Sequence, residues 1–211
     1  MSVVAAFDFD GTLSTRDCVV PFLTTVSGRA RLARGLVARP VALAGAAVRR
    51  DRDSLKAMSV RAAFAGREVL HVERLGATFG ETVHANGLRA DTTRRLQWHQ
   101  QQGHRVVIVS ASLGAYLHPI GRLLGVDAVL CTEVHSGADG RYTGELVGQN
   151  CRGEEKTRRL RTWLAEAGLD DAELWAYGDS NGDRELLAAA DHALLVKDIL
   201  VPAAPVRSEA R

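Results

Sequence analysis

Short apolar runs recur along this chain, and most of them stop at a small polar cluster. Val3–Phe9 is apolar and β-branched and runs into Asp8-Phe9-Asp10-Gly11-Thr12, which predicts a buried strand closed by a glycine turn. From Ser14 to about Gly87 the spacing is helical and no strand alternation occurs. Pro21, Pro40 and several glycines divide that stretch into about four short helices. A further helix is predicted over Asp91–Gln102. Beyond it, strands are predicted at Arg105–Val109, Ala128–Leu130, Glu173–Tyr177 and Ala193–Val196. Helices are predicted between them at Leu113–Leu124, Gly153–Ala167 and Asn181–Ala190, and Glu133–Val147 reads as a β-hairpin around its Ala-Asp-Gly-Arg-Tyr-Thr-Gly turn. Alternating strands and helices predict an α/β fold with a parallel sheet wrapped by helices. The division expected is an α/β core over 1–14 and 88–201, a helical insert over 15–87, and a frayed tail over 202–211.

Composition narrows the class. Hydrophobic residues make up 46% of the 211 residues and charged residues 25%, which excludes wholesale disorder, collagen-like chains and disulfide scaffolds. Cys18, Cys131 and Cys151 are scattered and odd in number, which fits a reducing, cytoplasmic setting and argues against a cysteine-based zinc site. The seven histidines show no metal-ligand spacing and read as surface or packing residues. The N-terminus has no basic n-region, and no apolar run is long enough to span a bilayer. Net charge is +2, so nucleic acid is not an expected partner. The charge is uneven, however. Arg29, Arg31, Arg34, Arg39, Arg49, Arg50, Arg52, Lys56 and Arg61 face only two acidic residues between Gly28 and Arg61, a local +7. Such a segment suits a solvated helical face, an anionic substrate or a membrane surface.

The polar clusters carry the chemistry. Asp8 and Asp10 close the first strand, Ser110 closes the second, and Asp179 and Asp183 follow a later one; Lys156 lies near the start of a helix. Taken singly these are an Asx turn, a helix cap, a surface lysine and a turn. Together they fall at the carboxyl ends of parallel strands, where such sheets bind ligands. Carboxylates crowded there repel one another unless a cation is present, and Mg²⁺ is the hard ion such oxygens hold. A lysine and a serine hydroxyl beside them suit a phosphate. One carboxylate can then attack phosphorus while its neighbour serves as acid and base.

These four motifs resemble the haloacid dehalogenase superfamily of phosphohydrolases: Asp8 to Thr12, Ser110, Lys156, and Asp179 with Asp183. The helical insert is similar to a type-1 cap over a Rossmann-like core. Asn150–Lys156 and the hairpin resemble the phosphoserine-phosphatase-like branch, subfamily IB. The resemblance implies Asp8 as nucleophile and metal ligand, and Asp10 as general acid and base whose backbone carbonyl binds Mg²⁺. It implies Asp179 and Asp183 as further metal-site residues, with Thr12, Ser110, Ala111 and Lys156 around the phosphate. Phosphoserine phosphatases usually carry Glu where this chain has Asp17, Ser-Gly-Gly where it has Ser110-Ala111-Ser112, and Asn where it has Gly182. Asp17, Gly182, Lys56 and Arg61 are thus the candidate specificity positions. The expected activity is hydrolysis of a small phosphate monoester such as phosphoserine or histidinol phosphate. The alternatives are a membrane-surface lipid phosphatase, for which Leu32–Val48 is the interfacial segment, and a non-catalytic or phosphotransfer protein.

Overall fold

A computed structural model describes residues 2–38, 40–49, 51–197 and 199–205. In chain order its elements are β1 (Val3–Phe7), α1 (Val19–Ser27), α2 (Arg29–Val37), α3 (Pro40–Val48), α4 (Arg52–Phe64), α5 (Val69–Asn86), α6 (Ala90–Gln101), β2 (Arg105–Leu113) and α7 (Gly114–Leu124). Then come β3 (Ala128–Thr132), β4 (Val134–Ser136), β5 (Tyr142–Leu146), α8 (Glu154–Glu166), β6 (Glu173–Gly178), a 3₁₀ turn (Asn181–Asp183), α9 (Arg184–Ala188) and β7 (His192–Leu195).

Five parallel strands form one sheet in the order β3-β2-β1-β6-β7, and β4 and β5 pair as a separate antiparallel hairpin. β1 is central and buried on both faces, which is why its sequence is an unbroken apolar run. Its side chains alternate. Ala5 and Phe7 join Val106 and Ile108 in one apolar layer, and Val4 and Ala6 join Val107 and Val109 in the other. Helix α5 packs along α7 on the first face, and α8 and α9 cover the second through Leu160 and Leu186. Helices α1–α5 all lie between β1 and β2 in the chain. They leave and return through one neck, where Thr15 N donates to Gly87 O (2.8 Å) and Arg89 N to Leu13 O (2.8 Å).

Four differences from the sequence reading have local causes. Five helices, not four, precede α6 among the described residues, because Gly28 at φ 75° separates α1 from α2 and the Asp51 carboxylate caps α4 through Ser54 N. Strand β2 continues through Ser110-Ala111-Ser112 to Leu113, with a shift of register against β3 between Val109 and Leu113. The helix expected at Asn181 starts as a 3₁₀ turn under a Ser180 capping box and ends at Ala188. Finally, the chain is not frayed at 202. Val201 is buried with its N–H on Asp91, and Pro202 O accepts from Arg95 Nε (2.9 Å). Arg95 is itself fully buried, and a buried guanidinium requires such partners. Residues 206–211 of the expected tail lie outside the described residues.

Beside Arg95 runs a buried polar chain. Arg95 donates to the Tyr177 hydroxyl (3.0 Å), which lies 2.8 Å from His99 Nε2, and His99 Nδ1 lies 2.8 Å from His104 Nδ1. Burial holds His99 down at about 3, and the neighbouring His104 and Arg95 add to this. The unfolded chain therefore takes up a proton below about pH 6.5 that the folded protein refuses, so this contribution is full above 6.5 and is lost as pH falls toward 3. Urea unfolding should show stability dropping between pH 6.5 and 5 by up to about 1.4 kcal/mol per pH unit from this group. The drop should be shallower in His99→Gln, and an identical slope in that variant would refute the assignment.

Candidate active site

The ladder between β1 and β6 extends one residue past Phe7, because Asp8 N donates to Tyr177 O (2.9 Å). That bond sets the buried Asp8 carboxylate beside the end of β6, where Gly178 leads into Asp179. The chain then turns at Gly11, whose φ is 80°. A Cβ there would overlap the Asp179 carboxylate, so glycine is required both for conformation and for space. Thr12 Oγ1 lies 3.5 Å from Asp8 Oδ2.

Lys156 reaches in from the first turn of α8. It is 2% exposed, and its Nζ lies 2.5 Å from Asp8 Oδ1 and 2.5 Å from Asp183 Oδ1. Asp183 is fixed from its other oxygen, which accepts from Ser180 N (3.1 Å), Ser180 Oγ (3.0 Å) and Asp179 N (3.3 Å). Oxygens of Asp8, Asp179 and Asp183 all lie within 4.8 Å of one another. Burial pushes Asp8 up to about 6, against the pull of Lys156 and with the repulsion of Asp183. Burial and Asp183 raise Asp179 as well. Burial also works against the charge of Lys156, but Asp8 and Asp183 outweigh it and hold the ammonium well above its ordinary range. Three carboxylates facing one ammonium leave excess negative charge on hard oxygen donors, and such a set fits a hard divalent cation.

Asp10 is held apart from this cluster. One of its oxygens accepts from Cys18 N (2.9 Å) at the entry to α1, and the other accepts from Ser112 Oγ (2.6 Å) at the end of β2. Burial pushes its carboxyl up to about 7; Ser112 opposes the rise, and Asp17 and Asp8 add to it. A carboxyl poised there can hold a proton or release it near neutrality.

A cavity of about 640 Å³ opens above these groups. Its floor is formed by Asp8, Asp10, Ser110, Asp179 and Asp183 at and beyond the carboxyl ends of the strands and by Lys156 from the start of α8, and α1 and α4 supply walls. Of the other sequence candidates, Ala111, Asp17, Gly182 and Lys56 also line it. Asp17 accepts from Val19 N (3.0 Å) and Val20 N (3.3 Å), so part of its carboxylate is taken up starting α1. Gly182 N donates to Ser180 Oγ (3.2 Å). Arg61 is not among the lining residues and instead pairs with Glu145 of β5.

Lys56 spans from the inserted helices to the sheet. Its ammonium donates to Ala111 O and Asn150 Oδ1 (2.6 Å) and lies 3.2 Å from Thr132 Oγ1, while Asn150 Nδ2 donates to Asp53 Oδ1 (2.6 Å). Burial lowers Lys56 to about 8, with Asp10 opposing the fall. The residues that sequence reasoning passed over are therefore Ser112, Thr132, Asn150, Asp53, Arg52 and Arg152. Ser112 lay in a motif already singled out, Asn150 and Arg152 in the Asn150–Lys156 segment and Arg52 in the basic segment, whereas Thr132 and Asp53 had no local signal.

The chain matches the haloacid dehalogenase-like hydrolase family over residues 5–188. It is similar to protein CicA of Caulobacter vibrioides, 37% identical over 189 residues, covering 90% of this chain and 83% of that protein. It is also similar to a histidinol-phosphatase of Neisseria meningitidis, 31% identical over 119 residues, covering 55% of this chain and 52% of that protein. Among solved structures, a protein of unknown function from Bordetella pertussis Tohama I superposes with a TM-score of 0.67 at 24% identity, covering 92% of this chain and 89% of the other. A substrate-bound phosphoserine phosphatase superposes with a TM-score of 0.60 at 18% identity, covering 95% and 89%. On the extent of the family match, this chain belongs to the haloacid dehalogenase-like hydrolases and has the fold of their phosphoserine-phosphatase-like members.

Proposed function

We propose that the protein is a Mg²⁺-dependent phosphatase that hydrolyses a small phosphate monoester through an aspartyl-phosphate on Asp8. One observation carries this reading. Asp8 sits at the cavity floor with its carboxylate against Lys156, while a second carboxyl, Asp10, is held separately by Ser112 and Cys18 N and titrates near neutrality. Family membership and the phosphatase names of relatives support a phosphoric monoester hydrolase.

The residues divide the work. Lys156, Ser110 and the backbone of Ala111 receive the phosphoryl oxygens, with Thr12 steadying the nucleophile. Asp8 attacks phosphorus, and the ester oxygen leaves with the proton that Asp10 gives up. Asp10 then takes a proton from water, whose oxygen attacks the phosphorus of the aspartyl-phosphate, freeing phosphate and restoring Asp8. Asp8, Asp179 and Asp183, with the Asp10 carbonyl, would hold Mg²⁺, which when bound offsets the charge of carboxylates and phosphate. Residues 15–87 act as the cap that closes the site against water, over a core of 1–14 and 88–201. Arg16, Arg52 and Arg152 line the cavity beside Lys56, which favours a substrate carrying a second anionic group, as phosphoserine does. The compartment we infer is cytoplasmic, in keeping with three unpaired cysteines.

A second reading keeps this chemistry and places it at a membrane surface. No described helix is long and apolar enough to cross a bilayer. Helix α3 nevertheless turns an uncharged face outward, with Val41 86% and Val48 84% exposed. Exposed Arg34, Arg49 and Arg52 flank it, and Arg52 also lines the cavity; Arg39 and Arg50 of the basic segment lie outside the described residues.

Phosphate release from a panel of monoesters should require Mg²⁺ and vanish in Asp8→Asn, whereas Asp10→Asn should lower kcat by about 10²–10⁴. Retained turnover in Asp8→Asn would overturn the nucleophile assignment, and metal-bound protein that turns over no ester would favour phosphotransfer or a non-catalytic role. For the membrane reading, flotation at low salt with vesicles rich in anionic phospholipid should carry the protein upward, and Val41→Glu with Val48→Glu should abolish it. Wild-type protein that stays at the bottom ends that reading.

A further inference from the structure

The end of β3 carries a second polar constellation, on the far side of the strand from the cavity. Residues at i and i+2 of an extended chain project to one side and the residue between projects to the other. Thr132 turns toward the cavity wall, where its hydroxyl donates to Asn150 Oδ1 (2.8 Å). Cys131 and Glu133 turn the opposite way and meet His118 of α7. His118 Nε2 lies 2.7 Å from Glu133 Oε1, Cys131 Sγ lies 3.1 Å from the same oxygen, and Sγ lies 3.8 Å from Nε2. Sequence spacing gave no histidine a metal-ligand grouping; His118, Cys131 and Glu133 are brought together instead by the packing of α7 on β3.

We propose that His118, Cys131 and Glu133 form a second cation site that takes a zinc-like ion, distinct from the acidic cluster at Asp8. The donor set decides the class of ion. Thiolate, imidazole and carboxylate suit a borderline-soft ion such as Zn²⁺, whereas the Asp8 cluster offers only hard oxygens. The spacing suits it as well. Bonds of about 2.0–2.3 Å around a tetrahedral ion set the ligand atoms roughly 3.3–3.8 Å apart, so the trio needs to open by only about half an ångström at the Glu133 oxygen.

The surroundings are built for access and for fixity. The His118 and Glu133 side chains are 44% and 43% exposed, leaving a path for the ion and room for a water as fourth ligand, while Cys131 is 2% exposed. A second cavity of about 350 Å³ adjoins the site, with Glu73 of α5 adding negative charge and Arg122 the opposing positive charge. Gly114 opens α7 directly beneath Glu133, and a Cβ there would overlap the carboxylate. Burial, with Glu133 next to it, keeps the Cys131 thiol well above its ordinary range, so the sulfur is no nucleophile as it stands. Uptake of the ion exchanges it for the thiol proton. The S–H bond breaks, the proton leaves to solvent, and the thiolate binds the metal. The imidazole binds through Nε2 and keeps its proton on Nδ1. An ion so held would pin β3 to α7 and with them Thr132, whose hydroxyl holds the cavity-lining Asn150.

The test uses the full chain in excess Mg²⁺, which occupies the hard-oxygen cluster, titrated with Co²⁺. One equivalent should produce a thiolate-to-cobalt charge-transfer band in the near ultraviolet, and Zn²⁺ should displace it. The band should be absent in Cys131→Ser. His118→Gln and Glu133→Gln, both at partly exposed side chains, should weaken Co²⁺ binding by more than about tenfold. A wild-type protein that shows no band at one equivalent, a band that survives Cys131→Ser, or unchanged affinity in His118→Gln overturns the proposal. None of these readouts depends on phosphate release, so they stand or fall separately from the phosphatase reading.

Discussion

The contact of Lys156 with Asp8 and Asp183 is what the rest of the structure is arranged around. Three carboxylates close together beneath a sheet edge cannot stay ionised without a cation, and a buried ammonium cannot stay charged without carboxylates. The three elements that bring these groups together are the two central strands, β1 and β6, and the helix α8 that crosses from one face of the sheet. Each is anchored in the apolar layers by its own alternate residues, so the charged contact sits on the stiffest part of the fold. The same excess of negative charge that makes the cluster costly for the protein alone makes it receptive to a divalent ion.

Above that floor the inserted helices finish the cavity by a different means. Lys56 and Asp53, three residues apart on α4, reach to Asn150, and Lys56 goes on to the carbonyl of Ala111. One helix face thus reads two separate segments of the sheet domain at once, with a cation whose pKa burial has lowered. Polar contacts between distant segments thus complete a site whose floor rests on strands buried on both faces, while apolar packing of Phe22 on Tyr116 and of Phe64 on Tyr142 holds the same helices in place.

What could be read from the sequence follows from this contrast. β1, β2 and β6 were legible because strands buried on both faces must be apolar throughout, and the polar residues that end them stand out. The carboxylates and Ser110 were legible for the same reason, whereas Lys156, in the first turn of α8, stands out only through its motif. Ser112 was harder because β2 runs on through a bulge that a simple strand-then-turn reading closes at Val109. Asn150, Thr132 and the His118–Cys131–Glu133 trio carry no local period at all, since each acquires its partners from chain segments far away. Arg61 was misleading for a related reason: its position among the basic inserted helices suggests substrate, while its partner Glu145 belongs to a hairpin more than eighty residues on. Val201 and Pro202 look like the start of a loose tail until buried Arg95 and Asp91 are seen to hold their backbone.

The placement of β1 has a consequence for synthesis. It precedes every other strand of its sheet in the chain, and yet it is the middle strand of that sheet. Its neighbour β2 begins only at Arg105, and its other neighbour β6 only at Glu173. Until β2 is made, therefore, Val3–Phe7 is an apolar segment with both of its hydrogen-bonding edges open, and one edge stays open until β6 follows. The helices of α1–α5 are made next and are largely local in their bonding, so they can form while β1 waits. Closure of the sheet around β1, and with it assembly of the Lys156 contact with Asp183, waits for β6 and the turn after it, which follow β2, β3 and α8 in the chain. A nascent chain of this protein stalled before β6 would carry the strand that leads into Asp8 unpaired on one side, which is the condition under which an edge recruits the wrong partner.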